Sequence, residues 1–257
     1  MIPAYPEPRG LLKGKTVGVT AAAGTGIGFS AAQRAAEEGA TLLISDVHER
    51  RLGEAAERIA EKVGARPATC VCDVTSEAQV QALRDAALAT LGRVDVLINN
   101  AGLGGEAAIV DMTDEQWSRV IDVTLTSLFR MTRAFLPAMY AAKAGVMVNN
   151  ASVLGWRAQR GQAHYAAAKA GVMAFTRCAA VEAAEHGVRI NAVAPSLAMH
   201  PFLAKATTQE TLDRLVAQEA FGRPAEVWEI ANVMLFLASD LSSYMTGEIV
   251  PVSSQRA

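Results

Sequence analysis

The sequence is poor in the features that mark several protein classes. Its cysteines are Cys70, Cys72 and Cys178, an odd number that cannot all pair, so no disulfide framework is expected. The four histidines, His48, His164, His186 and His200, are scattered and none lies within a few residues of a cysteine, so no metal site is expected either. Charge of neither sign prevails. The 24 basic and 26 acidic side chains leave a formal net charge of −2, and the basic footprint of a nucleic-acid binder is missing. Apolar residues make up 51% of the chain, yet no stretch of roughly 18 residues, the length that spans a bilayer core, is free of charge and proline. The opening MIPAYPEPRG carries an acid, several prolines and no apolar h-region, so 1–11 reads as a loose arm and not as a signal peptide. These absences predict a soluble, cytoplasmic protein with neither nucleic acid nor membrane as partner.

What is present is a rhythm. From Lys15 onward, short β-branched or aliphatic runs alternate with longer stretches at helical period, the pattern of βαβ units. Strands are predicted at Thr16 to Thr20, Thr41 to Ser45, Ala68 to Cys72, Val94 to Asn99, Gly145 to Asn149, Arg189 to Val193 and Glu248 to Val252. Each is a near-continuous apolar run, as in a parallel sheet covered on both faces. Helices are predicted at Ser30 to Glu38, Glu49 to Val63, Ser76 to Leu91, Asp114 to Tyr140, Ala163 to His186 and Ala225 to Ala238, where alanine, leucine, glutamate and arginine favour helix. Thr75-Ser76-Glu77 and Thr113-Asp114-Glu115 supply N-terminal cap signals. The reading is one α/β domain over 1–257: a single Rossmann-type, doubly wound parallel sheet of about seven strands with helices on both faces. Only 196–221 breaks the rhythm, being long and mixed, and is the candidate substrate lid.

The first strand runs into Ala21-Ala22-Ala23-Gly24-Thr25-Gly26-Ile27-Gly28 and then a helical pattern. A small-residue turn leaves backbone N–H groups uncovered, and the helix start adds aligned donors and partial positive charge, so a pyrophosphate fits there. The second strand ends in Ser45-Asp46, and Asp46 lies 18 residues beyond Gly28, near the spacing at which a carboxylate meets an adenosine ribose. That carboxylate accepts from ribose hydroxyls and repels a 2′-phosphate, which favours NAD over NADP. His48, Arg50 and Arg51 are the counter-argument, as cations that suit such a phosphate.

Tyr165 and Lys169 stand four apart in a helical stretch, a spacing that stacks two side chains on one face. A lysine cation held beside the phenol favours the phenolate and brings a pKa of about 10 toward the working range. Tyr165 then exchanges a proton with the oxygen of an alcohol or ketone. Ser152 lies thirteen residues earlier, beyond the fifth predicted strand, where its hydroxyl can orient that oxygen as charge gathers on it.

The glycine turn, Cys72-Asp73-Val74, Asn99-Asn100-Ala101-Gly102 and the Ser152, Tyr165, Lys169 set together resemble the short-chain dehydrogenase/reductase family, from about Leu12 to Val252. The resemblance implies that Gly24, Thr25, Gly26, Ile27 and Gly28 cradle the cofactor and that Asp73 and Val74 flank its adenine. It implies that Asn100, Ala101 and Gly102 approach the cofactor, that Lys169 binds the nicotinamide ribose, and that Pro195 and Ala198 lie near the nicotinamide amide. It also implies a homotetramer, or at least a dimer, through the helices 114–140 and 163–186. Where the family pattern has asparagine in the long fourth helix, this chain has Thr124, which is kept as the fourth candidate of the reaction centre. The family's Pro-Gly after the sixth strand is Pro195-Ser196, and its C-terminal Asp-Gly-Gly is Ser253-Ser254-Gln255.

Leu103, Leu154, Trp156, Met199, Phe202 and Leu203 gather near the presumed centre, with Arg157, Arg160, His164, His200 and Lys205 toward the rim. That composition suits an apolar carbonyl compound with an anionic handle. The segments Val19 to Gly28, Asn149 to Gln159 and His164 to Lys169 are similar to actinobacterial members of the family that act in steroid C/D-ring breakdown. The resemblance implies an NAD-dependent alcohol/ketone oxidoreductase acting on a methyl-indanone carboxyl-coenzyme A thioester. A 3-oxoacyl thioester reductase is the alternative within the class, and a non-catalytic nucleotide-binding scaffold is the alternative outside it.

Overall fold

The computed structural model describes residues 2–199 and 208–254. Its chain alternates as the apolar runs require. Strands β1 (Thr16–Val19), β2 (Thr41–Asp46), β3 (Ala68–Val71), β4 (Val96–Asn99), β5 (Gly145–Asn150), β6 (Val188–Pro195) and β9 (Ile249–Val252) form one sheet in the order β3-β2-β1-β4-β5-β6-β9. Every neighbouring pair is parallel. The crossovers are α1 (Ile27–Glu37), α2 (Glu49–Val63), α3 (Glu77–Leu91), α4 (Asp114–Ile121), α5 (Ser127–Ala142) and α6 (Ala163–Ala184). The strand order reverses between β1 and β4, so the chain leaves the carboxyl ends of these two neighbours in opposite directions and opens a crevice between them.

Successive side chains on a strand face opposite ways, and β4 uses both. Ile98 packs with Val17, Ile44 and Leu52 in one core, and Leu97 packs with Leu43, Val80, Phe135 and Met147 in the other. Fully burying one such side chain contributes about 1.5–3 kcal/mol, which is why both faces of the sheet must be covered. After α6 and β6 come β7 (Ala198–Met199), α7 (Gln209–Val216), β8 (Ala225–Glu226) and α8 (Val227–Ala238). The two-residue strands β7 and β8 pair in a separate parallel ladder. They are too short to leave a periodic signal.

Three expectations change here. The predicted helix 114–140 is interrupted: α4 and α5 are joined by a π-helical turn, Asp122–Thr126. The first helix begins at Ile27, directly after Gly26 and not at Ser30. The N-terminal arm is not loose. Tyr5 donates to Glu37 at 2.8 Å and packs edge-on against Trp228, while the N–H groups of Arg9 and Leu11 donate to Glu38. Of the lid, residues 200–207 lie outside the described residues; α7 occupies much of the rest.

Candidate active site

The crevice beyond β1 and β4 is fastened by one hydroxyl. Thr20 Oγ1 accepts from the N–H groups of Asn100 at 3.0 Å and Ala101 at 3.3 Å, joining the turn after β4 to the end of β1. Gly28 lies so close to this junction that a β-carbon on it would collide with the Ala21 carbonyl oxygen and the Asn100 amide. Gly24 takes φ +94°, a conformation glycine adopts without steric cost. Gly26 occupies the N-cap of α1 and offers no capping side chain, and no acid stands in the first turn. The positive end of α1 is therefore left for an external anion. Thr25 Oγ1 is buried and has no hydrogen-bond partner.

Asp46 ends β2 beside this turn. Its carboxylate accepts from Ala23 N–H at 3.1 Å and from His48 N–H at 3.0 Å, and each oxygen keeps acceptor capacity. Burial raises its pKa, and the backbone hydrogen bonds and Arg51 oppose that rise. A bare glycine cradle, an uncapped helix start and a buried-edge carboxylate are the donor and acceptor set that a dinucleotide requires, so the residues present fit such a cofactor. Asp73 is engaged within its own turn. Its Oδ1 accepts from the Thr75 N–H and hydroxyl, closing the turn into α3, and Val74 is buried in the core of that face. Pro195 closes β6, and Ala198 lies in the β7–β8 ladder, 7% exposed.

The second half of the site stands on α6 and the end of β5. Tyr165 and Lys169 share one face of α6, with Lys169 Nζ 5.5 Å from the tyrosine ring centroid. Ser152 caps the short 3-10 turn Val153–Gly155, accepting from Leu154 N–H at 3.2 Å, and it hydrogen-bonds to Tyr165. Lys169 is 2% exposed and donates to the Asn150 carbonyl at 2.5 Å. The structure thus brings Ser152, Tyr165 and Lys169 together at the crevice.

Their electrostatics depart from the simple expectation. Burial pushes the Tyr165 phenol up to about 12, and the Ser152 hydrogen bond is what opposes it. Burial also brings the Lys169 ammonium down to about 7. Desolvation disfavours both charged forms, so in the protein alone the phenol is held protonated. Thr124 also has a different place. In the π-helical turn, its Oγ1 accepts from Leu103 N–H at 3.0 Å and donates to Leu103 O at 3.2 Å. It fixes the loop after Gly102, the loop that Lys169 Nζ also approaches. His164 is buried, 2% exposed, and does not line the rim. Trp156, Arg157 and Arg160 are exposed, and Leu103, Leu154 and Met199 are partly buried. His200, Phe202, Leu203 and Lys205 lie outside the described residues.

Sequence reasoning missed Asn149 and Asn150 as working residues. Asn149 Nδ2 donates to Thr176 Oγ1, Asn99 Nδ2 donates to Asn149 Oδ1, and Asn150 Nδ2 donates to Asn100 Oδ1. The available signal was the pair of Asn-Asn dipeptides ending two adjacent strands, which β4–β5 register sets side by side.

Known proteins resemble this chain over nearly its whole length. A family model described as enoyl-(acyl carrier protein) reductase matches residues 21–254. The chain is 63% identical over 247 residues to the (5R,7aS)-5-hydroxy-7a-methyl-1-oxo-2,3,5,6,7,7a-hexahydro-1H-indene-carboxyl-CoA reductase of Mycobacterium tuberculosis, covering 96% of this chain and 94% of that one. It is 37% identical to the 3-oxoacyl-[acyl-carrier-protein] reductase of Thermotoga maritima, over 94% of this chain and 97% of that one. Among solved structures, a short chain dehydrogenase from Mycobacterium smegmatis superimposes with a TM-score of 0.89 at 57% identity, covering 100% of this chain and 99% of that one.

Proposed function

The chain belongs to the short-chain dehydrogenase/reductase family of oxidoreductases, and from that premise we propose that it reduces a ketone on a bicyclic, steroid-derived carboxyl-coenzyme A thioester, with NADH as the reductant. The observation that carries the chemistry is the convergence of Ser152, Tyr165 and Lys169 beside the loop that follows β4. The substrate class is supported by the 63% identity to a reductase of a hydroxy-methyl-oxo-indene carboxyl-CoA. The preference for NADH over NADPH is supported by the Asp46 carboxylate at the end of β2.

A nicotinamide cofactor held by the turn 24–28 and Asp46 would supply the hydride that the carbonyl carbon gains. Tyr165, held protonated by burial, delivers its proton to the carbonyl oxygen, so the ketone becomes a secondary alcohol and the phenol becomes phenolate. A protonated donor of this kind suits reduction. The Ser152 hydroxyl steadies the oxygen as negative charge gathers, where a fixed donor contributes most. Lys169, one helical turn away, stabilises the phenolate once it forms, and its charge is worth more in a buried site than in water. Exposed Trp156 and Arg160 at the mouth suit the long anionic end of a coenzyme A ester. Among the described residues no helix is long and apolar enough to cross a membrane. Exposed Phe129 on α5 and Val181 on α6 support self-association through these long helices as a dimer or tetramer, which light scattering would check.

The deciding experiment assays wild type and Tyr165→Phe against a panel of oxo-acyl-coenzyme A thioesters, bicyclic and linear, with NADH and NADPH separately. Turnover by the variant is expected to fall by about 10²–10⁴ with NADH affinity nearly unchanged. Unchanged turnover would remove Tyr165 as the proton donor. A preference for linear 3-oxoacyl thioesters would favour the second reading, which the 37% identical reductase supports. Failure of the wild type on every thioester would leave a nucleotide-binding scaffold.

A further inference from the structure

We propose that Asn150 is a positioning residue that couples the cofactor turn to Lys169 through its side chain on one side and its backbone carbonyl on the other. It rests on the reading of the glycine turn as a dinucleotide site.

Asn150 is the last residue of β5. Its carbonyl accepts from Lys169 Nζ at 2.5 Å, and its side-chain amide donates to Asn100 Oδ1 at 2.9 Å. Asn100 in turn donates to the Ala21 carbonyl at 3.1 Å. The direction of this chain is fixed. A backbone carbonyl only accepts, so Asn100 must present its amino nitrogen to Ala21 and its oxygen to Asn150, which must then donate. Reversing any amide would set oxygen against oxygen.

The far end of the chain is where such a constraint matters. Ala21 has φ +51°, the left-handed region that disfavours a residue carrying a β-carbon. The Ala21 carbonyl also bounds the close packing at Gly28. A backbone held in a sparsely populated conformation persists when its surroundings over-determine it, and Asn100, oriented by Asn150, is one such constraint. One residue therefore touches the lysine of the reaction centre and, through a single amide, the turn that receives the cofactor. The sequence pattern has no local signal for this, because Asn150 and Ala21 are far apart in the chain.

The test is NADH affinity by fluorescence titration on wild type, Asn150→Val, Asn100→Ala and the double variant, with thermal melts and kcat and KM for each. Asn150→Val removes the donor, and NADH binding is expected to weaken about tenfold, the factor of one lost buried hydrogen bond. KM for NADH should rise more than kcat falls. In the Asn100→Ala background the same change should have little further effect, because the link is already cut. A role confined to stability would lower the melting temperature and leave NADH affinity as it was. If Asn150→Val does not stay folded, Asn150→Asp keeps the shape, loses the donor and is expected to give the same loss. Unchanged affinity, or effects that simply multiply in the double variant, would overturn the coupling while leaving the dinucleotide reading intact. A wild type that binds neither NADH nor NADPH would take down that reading and the coupling with it.

Discussion

Gly102 lies directly against Lys169: a β-carbon on it would stand 3.3 Å from the lysine Nζ and 3.9 Å from its Cε. The contact sets how far the ammonium can sit from the turn after β4. Gly102→Val puts a branched side chain there and is expected to push Lys169 off the Asn150 carbonyl, lowering turnover by at least about tenfold, because buried charges need their partners. Gly102→Ala is expected to cost far less. Steady-state kinetics on the pair would check the order, and equal activity of the two variants would show that Lys169 moves aside freely.

The lysine also sets a pH dependence. Burial brings its folded-state pKa down to about 7, whereas an exposed lysine stays near 10.4. Between these values the unfolded chain binds a proton that the folded protein has released, so stability rises with pH across this window. Below it both states are protonated and the folded state carries the full burial penalty. The melting temperature of wild type without cofactor, relative to Lys169→Met, is expected to climb between about pH 7 and about pH 10. Parallel melting curves for the two proteins would show that the ammonium is not strained by burial. Above pH 10 the sign reverses for Tyr165: its folded-state pKa is raised, so the unfolded phenol ionises first and stability falls as pH rises further.

A buried ion cluster beneath the N-terminal arm makes a separate prediction. Arg34 is 3% exposed. It donates to Glu37 and Glu38 at 2.7 Å each, to Asn232 at 3.1 Å and to the Pro6 carbonyl at 3.3 Å. Arg34→Met leaves two buried carboxylates without their cation, a change that typically costs about 3–5 kcal/mol. Chemical denaturation should show a loss of that order. Restoration by the further change Glu38→Gln would identify the unpaired charge as the cause.

Two amide chains end at one small cavity, and this predicts a buried water. Asn99 Oδ1 and Asn150 Oδ1 are both buried acceptors with no hydrogen-bond partner, and both residues line a cavity of about 10 Å³ beside Thr124 and Ser127. That is room for about one water, whose two protons match the two acceptors. A crystal structure at better than about 2 Å should show a peak within hydrogen-bond reach of both oxygens. Clear empty density would mean that the two carbonyls tolerate burial unpaired.

Much of this was readable locally. The seven sheet strands follow from apolar runs, and Tyr165 and Lys169 share a face because helical spacing leaves no other arrangement. Asp46 ends its strand as expected. Other assignments needed contacts between distant segments. The arm looks free until Arg34 and Glu38 are seen to hold it, and the start of α1 at Ile27 depends on a cap with no side-chain signature. The π-helical turn sets Thr124 against Leu103, which no hydrophobic period announces. Asp73 Oδ1 accepts from the Thr75 N–H and hydroxyl, a turn contact that its residue type suits as well as it suits a ligand.

The succession of strands and helices along the chain, the spacing of the reactive pair and the glycine turn are local properties, because they depend on neighbours in the chain. The charge states of that pair were decided only by tertiary structure. Desolvation depends on what surrounds a group from every side, and the atoms that bury Lys169 and Tyr165 come from segments the local pattern does not connect.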